Sequence, residues 1–102
     1  MAFKIIYSPL AKESFQHNIS YLKENWTIKE IQKFIQKTSD VIDILKIQPV
    51  LFSVSEFDKT IRKVVIIKQI TLFYEFDKEN VYLHLFWNNY QDPERINLLL
   101  KA

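Results

Sequence analysis

Apolar and polar positions between Ile61 and Tyr90 fall into three runs of strand length, separated by Lys68-Gln69 and by Asp77-Lys78-Glu79-Asn80. The runs are rich in β-branched and aromatic residues, which suit a pleated, half-buried surface. Breaks this short permit only hairpins, so the spacing predicts an antiparallel meander. Counting outward from the two turns sets Val65 opposite Leu72, Val64 opposite Phe73 and Arg62 opposite Glu75. It likewise sets Leu72 opposite Leu85, Phe73 opposite His84 and Glu75 opposite Tyr82. Cross-strand partners share a face. One face then carries Val65, Ile67, Ile70, Leu72, Tyr74, Phe76, Leu83, Leu85 and Trp87, and reads as core. The other carries Arg62, Glu75, Tyr82 and His84 together with Val64, Ile66, Phe73 and Phe86. That second face is too apolar to be left fully in water.

Upstream, Ala2–Tyr7 reads as a short strand with Phe3, Ile5 and Tyr7 on one side. Ser8-Pro9 has the form of an N-cap followed by proline at the first helical position. Ala11, Phe15, Ile19, Leu22 and Trp26 form one apolar stripe of a first helix. Thr27-Ile28-Lys29-Glu30 is a capping box, and Trp26 and Ile31 occupy the positions of a hydrophobic staple around it. The second helix is expected to bury Ile31, Phe34, Ile35, Val41, Ile42 and Leu45 and to stop at Gln48-Pro49. Lys29, Lys33 and Lys37 fall on its exposed face. Val50–Val54 is a further strand or a connector, and Ser55–Thr60 is turn-like. Asp92-Pro93-Glu94 looks like a cap and first turn of a terminal helix through Ile96 and Leu98–Leu100. The expected architecture is α+β: an N-terminal strand, an antiparallel helical hairpin, then an antiparallel sheet with the helices on one face.

Composition narrows the function classes. A chain of 102 residues with 48% apolar and 15% aromatic residues is expected to form one domain, 1–102, with a packed core. It has no cysteine, which excludes disulfides, thiolate metal sites and cysteine nucleophiles and fits a reducing cytoplasm. No run approaches the ~20 apolar residues that span a bilayer, so no membrane partner is expected. No cofactor or metal is expected either. Glycine is absent, which excludes phosphate-cradling glycine loops and leaves any φ > 0 position to Asn or Asp, Asn80 first among them. A net charge of +2, with only two arginines among fourteen basic residues, allows a nucleic-acid partner without arguing for one.

In the order of its elements the chain resembles the RelE/ParE superfamily of bacterial type II toxins over nearly its whole length. The resemblance rests on Tyr7-Ser8-Pro9 after the first strand, the helical hairpin and the proline behind it. It extends to Ile61-Arg62-Lys63 entering a strand, Leu72-Phe73-Tyr74-Glu75-Phe76 in the next, and the closing Phe86-Trp87-Asn88-Asn89-Tyr90-Gln91-Asp92-Pro93. It implies the toxin of a plasmid-stabilisation system, inhibiting growth and held inactive by a cognate antitoxin in a toxin–antitoxin hetero-oligomer. Some members inhibit DNA gyrase by binding; others are metal-independent, ribosome-dependent mRNA endonucleases. A degenerate, non-toxic domain that only forms complexes, homodimers included, is a third reading.

The nuclease branch places arginines or lysines on the sheet and a tyrosine or histidine just past the last strand. Arg62, the Lys59/Lys63 cluster and Tyr90 match that pattern, whereas Thr71 and Trp87 stand where such members often carry arginine. The candidate catalytic residues are therefore Arg62 and Tyr90, with His84 as a third, a histidine being the usual side chain for proton transfer near neutral pH. Arg62 is also the expected cross-strand ion-pair partner of Glu75. Val64, Ile66, Phe73, Tyr82 and Phe86 are the expected partner-binding surface on the second face. An antitoxin, the Ile96–Leu100 tail or a second copy would cover it.

Overall fold

The computed structural model describes residues 2–91 and 94–101. Strand β1 (Lys4–Tyr7) leads into helices α1 (Pro9–Asn25) and α2 (Ile28–Leu45), then a single 3-10 turn (Pro49–Leu51). Strands β2 (Ser53–Val54), β3 (Arg62–Ile67), β4 (Ile70–Phe76) and β5 (Asn80–Asn88) follow, and α3 (Glu94–Lys101) closes the chain. The five strands form one sheet in the order β1-β5-β4-β3-β2. β3, β4 and β5 are the expected antiparallel meander, and β1 joins β5 in parallel.

The helix boundaries follow their sequence signals. The Ser8 hydroxyl accepts from the Ala11 amide at 2.9 Å with Pro9 opening α1, and the Thr27 hydroxyl accepts from the Glu30 amide at 3.3 Å. Trp26 ends α1 and packs with Ile31 against the main core. Along α2, Phe34 and Leu45 are buried, but Ile35 stays half exposed. Thr38 takes the buried position one turn beyond Phe34, its hydroxyl donating to the Phe34 carbonyl at 2.8 Å. The Asp92-Pro93 cap expected before α3 lies outside the described residues. No described residue has positive φ. The β4–β5 connection manages without one because the Asp77 carboxylate accepts from the amides of Glu79 and Asn80, an Asx turn that tightens the loop by side chain.

The face assignment needs correction, and two register shifts are the cause. One lies in β3 between Val65 and Ile67; the other falls between Phe73 and Tyr74 of β4, where His84 is the extra residue of β5. Arg62 therefore pairs with Tyr74 and not Glu75, Val64 with Leu72, and Phe73 with Leu85; Glu75 opposite Tyr82 stands as counted. A one-residue slip exchanges the two faces. Val64, Ile66 and Phe86 turn under α1 and α2, in the core with Leu72, Tyr74 and Leu83. Leu85 and Trp87 turn to the opposite side and join Phe73 and Ile61 in a second cluster under Ile96 of α3. Val65 is left 61% exposed. The sheet is thus a middle layer, with the helical hairpin behind it and α3 in front.

Polar side chains close what the sheet leaves open. β1 accompanies β5 only from Asn80 to Leu83, so the second half of β5 presents an unpaired edge. Helix α1 covers it. The Ser8 amide and hydroxyl donate to the carbonyls of Leu83 and His84, both at 3.0 Å. The Phe86 amide donates to the Ser14 hydroxyl at 3.0 Å, and Asn18 Nδ2 donates to the Phe86 carbonyl at 2.8 Å. At the far edge Arg62 Nη1 donates to the carbonyls of Phe52 (2.6 Å) and Val50 (3.2 Å), with its guanidinium 5.6 Å from the Phe76 ring centroid. The Tyr74 hydroxyl donates to the Pro49 carbonyl at 2.6 Å.

Asn18 is 2% exposed, so Asn18→Ala strands the Phe86 carbonyl and should lower stability by about 1–3 kcal/mol in urea unfolding. Asn25→Ala, which removes the exposed bond to the Tyr21 carbonyl, should change it far less. Burial pushes the Tyr74 phenol up to about 12, from the ordinary value near 10 that the unfolded chain retains. The folded state therefore favours the protonated form: this contribution is complete below about pH 10 and disappears as pH rises toward about 12. Tyr74→Phe should lose about 1 kcal/mol at neutral pH and show a shallower decline between those limits, read from unfolding curves across alkaline pH.

Candidate functional site

The front of the sheet divides into a part under α3 and a part left open. The open part is a cavity of about 210 Å3 walled by Lys63 of β3, Thr71 and Phe73 of β4, Trp87 at the end of β5, Asn89 just beyond, and Glu56 and Phe57 from the β2–β3 connection. Ile96 of α3 closes one side. Alternation along each strand brings these side chains forward together. The Lys63 ammonium donates to the Glu56 carboxylate, and this hydrogen bond holds Glu56 below the usual carboxylate range. The Thr71 hydroxyl donates to Asn89 Oδ1 at 2.9 Å, while Asn89 Nδ2 donates to the Lys68 carbonyl at 3.1 Å. Tyr90 follows directly in the chain, 58% exposed, with its amide donating to Asn88 Oδ1 at 2.9 Å.

The three residues singled out for catalysis are not brought together. Arg62 lies at the Tyr74/Leu83 end of the sheet, on the face that Tyr74 turns toward the helices, holding backbone carbonyls. Tyr90 lies beyond the opposite end, where Asn88 pairs with Ile70 and Ile70 with Ile67. The five-residue length of β3 between those ends is about 17 Å. His84 is apart from both, at the bulge. Its Nε2 is 3.3 Å from a Glu75 carboxylate oxygen, close enough for a Coulombic contact but off the direction of a hydrogen bond. Glu75 thus meets His84 and not the Arg62 expected from the strand count. The ring borders a mainly apolar space of about 350 Å3 lined by Pro9, Leu10, Leu99 and Leu100. Tyr82 donates to Asp77 at 2.8 Å; the Glu79 amide first, then the Asn80 amide and the phenol, hold that carboxylate low.

The expected partner-binding surface is dispersed in the same way. Val64, Ile66 and Phe86 are buried behind the sheet, and Phe73 is buried in front of it. Of the three covers expected for this surface, the chain's own tail is the one over Phe73. A cavity of about 570 Å3 lies elsewhere, between α1 and α2, lined by Phe15, Ile35, Ile42 and Phe86 and by Lys12, Asp43 and Lys46. Among the described residues no group of three or more His, Cys, Asp or Glu side chains could hold a metal, and no helix is long and apolar enough to cross a membrane. Sequence reasoning noted Lys63 but missed Glu56 and Asn89. The alternation that turns Lys63 forward was available; the loop that returns Glu56 to it carries no sequence signal.

Strand, helical hairpin, mainly antiparallel five-stranded sheet and short C-terminal helix together make an α+β fold. Among solved structures it is shared with the YoeB dimer from Staphylococcus aureus and with the YoeB-YefM complex from Staphylococcus aureus. Each aligns over 88% of this chain and 100% of its own, with a TM-score of 0.56 and 15% sequence identity. At that identity the likeness is one of fold. No protein-family profile matches the sequence, and no curated protein does.

Phe73 is 2% exposed, so Phe73→Asp puts a carboxylate into a closed apolar cluster. The isolated chain should lose at least the roughly 3–5 kcal/mol typical of deleting a buried phenylalanine, seen as a lowered melting temperature. Removing residues 92–102 should expose the same cluster and raise the fluorescence of an apolar dye.

Proposed function

We propose that the chain is the toxin of a type II toxin–antitoxin system, acting in the cytoplasm by binding a cellular target such as DNA gyrase and neutralised by a cognate antitoxin. The toxin reading is carried by the fold shared with YoeB, a RelE-superfamily toxin that has been solved with YefM. Plasmid stabilisation and growth inhibition are the roles such a toxin would have. The groove between α1 and α2 offers a partner helix an apolar floor with charged residues around it.

Binding is favoured over cleavage by the state of the cations. Metal-free cleavage of RNA needs a base for the 2′-hydroxyl, free positive charge for the phosphorane and an acid for the leaving oxygen. Arg62 is engaged by two carbonyls behind the sheet, and Lys63 by Glu56. Thr71 and Trp87 bring no charge to the open cavity.

One observation supports the second reading, a metal-independent, ribosome-dependent mRNA endonuclease. Exposed Tyr90 is next in the chain to Asn89, which lines the cavity that also holds the Glu56–Lys63 pair. On this reading the Glu56 carboxylate takes the 2′-hydroxyl proton, the Lys63 ammonium, released from it by the incoming phosphate, balances the phosphorane charge, and the Tyr90 phenol gives its proton to the oxygen that leaves.

Induced alone, the chain should arrest bacterial growth, and co-expression of its antitoxin should restore it. On the binding reading, DNA supercoiling fails while mRNA stays whole, and Tyr90→Ala, Lys63→Ala and Arg62→Ala leave no cleavage to abolish. On the nuclease reading, mRNA is cut near codons, and Tyr90→Ala or Lys63→Ala lowers the cutting on the order of 100-fold or more with the fold intact. Arg62→Ala would destabilise the 3-10 turn instead. Normal growth with soluble protein would leave the degenerate, complex-forming domain.

A further inference from the structure

A cavity of about 330 Å3 is lined by residues of α1, of the second half of β5 and of α3. That volume falls within the range of small-molecule sites, roughly 300–1,000 Å3. Its apolar lining includes Leu10, Leu85, Trp87 and Leu99. Its charged lining is not engaged within the chain. Glu13 and His17 lie one turn apart on α1, and Arg95 lies in the first turn of α3. All three are exposed, and among the described residues none of them is in an ion pair. A carboxylate and a guanidinium thus line one cavity without pairing with each other.

Two asparagines complete the lining, and both are nearly closed off: Asn18 is 2% and Asn88 6% exposed. Asn18 Nδ2 donates to the Ser14 carbonyl at 2.9 Å and to the Phe86 carbonyl at 2.8 Å. Two carbonyl partners fix which end of the amide is nitrogen, and Oδ1 is left accepting nothing. Asn88 Oδ1 accepts from the Tyr90 amide, which leaves its Nδ2 to donate. Buried polar atoms are nearly always satisfied, so an acceptor left over in the wall of a cavity calls for a donor from outside the chain.

We propose that this cavity binds a free α-amino acid with an apolar side chain. Unpaired charges of opposite sign on α1 and α3 match a ligand that carries both signs itself. The ammonium has three hydrogens to give, and Glu13 and Asn18 Oδ1 are the acceptors on the α1 side. The ligand's carboxylate accepts from the Arg95 guanidinium, whose fork suits two carboxylate oxygens, and from Asn88 Nδ2. Its side chain lies against the leucines and Trp87. A simple anion would leave Glu13 and Asn18 unanswered, and a simple cation would leave Arg95. The cavity shares only Trp87 with the front one, and the inference does not rest on the toxin reading.

The test needs only the full chain and L-leucine. Isothermal titration calorimetry should show saturable one-to-one binding, and leucine should raise the melting temperature. N-acetyl-leucine, which lacks the ammonium, and leucinamide, which lacks the carboxylate, should each bind on the order of tenfold or more weaker. Two variants assign the ends. Arg95→Gln should weaken leucine by a similar factor and leave leucinamide as it was. Glu13→Gln should weaken leucine and leave N-acetyl-leucine as it was. Both side chains are exposed and outside any ion pair, so circular dichroism and the melting temperature without ligand should match wild type. Absence of saturable binding for both leucine and phenylalanine overturns the proposal and leaves Asn18 Oδ1 to a water. So does equal binding of leucine and its two analogues, which would make the site purely apolar, or leucine binding that neither variant alters.

Discussion

The two register shifts in the sheet decide where nearly every large side chain goes. In a strand without a bulge, positions 81, 83, 85 and 87 would share one face. The extra residue at His84 divides them, leaving Val81 and Leu83 behind the sheet and sending Leu85 and Trp87 to the front. Phe86 turns the other way and meets the stacked rings of Phe15 and Phe34 edge-on, at centroid distances of 5.2 and 6.3 Å. The shift in β3 directs both Ile66 and Ile67 to the hairpin side and leaves Val65 outside. A single strand pair thereby serves two apolar clusters, and α3 has something to dock on. Without the bulge at His84, Leu85 and Trp87 would lie under the hairpin and Phe86 would face α3 in their place.

Sealing the edges draws on the same polar residues that would otherwise be candidates for chemistry. β1 stops at Tyr7, and the rest of β5 has backbone groups that must be paired or wetted. Ser8, Ser14 and Asn18, spaced along the inner side of α1, supply those pairs and fix the helix against the sheet at three points. Arg62 and Tyr74 do the equivalent at the other edge, holding the carbonyls of Pro49, Val50 and Phe52. A guanidinium bound to carbonyls keeps its charge but not its freedom to follow a phosphate. Residue type at a matching position is therefore a poor guide to role in this chain.

What could be read from the sequence was local. Ser8-Pro9 and Thr27–Glu30 mark the helix starts observed, whereas α2 ends at Leu45, ahead of the Gln48-Pro49 expected to stop it, and Pro49 opens the 3-10 turn. The hairpin order of β3, β4 and β5 follows from connections too short for any alternative. Register was not legible, because both faces of the meander are apolar. Alternation carries no information when Val64 and Val65, or Leu85 and Phe86, serve either face equally well. A bulge under such a pattern leaves no trace in it. The site suffered directly: Arg62 and Glu75 face each other only in an unbulged count, and Glu56 joins Lys63 only once the loop carrying Glu56 and Phe57 has folded back.

The front face, finally, shows why a fold of this kind tolerates different activities. Its inner part is filled by Phe73, Leu85 and Trp87 under α3; beside it is a cavity whose wall combines Phe57, Phe73, Trp87 and Ile96 with the polar Glu56, Lys63, Thr71 and Asn89. Thr71 and Asn89 satisfy each other there as a neutral pair, and Lys63 and Glu56 do so as a charged one. Mutually satisfied pairs of that sort keep the cavity soluble without defining a reaction. Conversion to a phosphate-binding site would need one unpaired cation in place of Thr71 or Glu56, with no change to either apolar cluster. Binding and cleavage thus differ by side chains that the fold does not depend on, so the fold by itself does not choose between them.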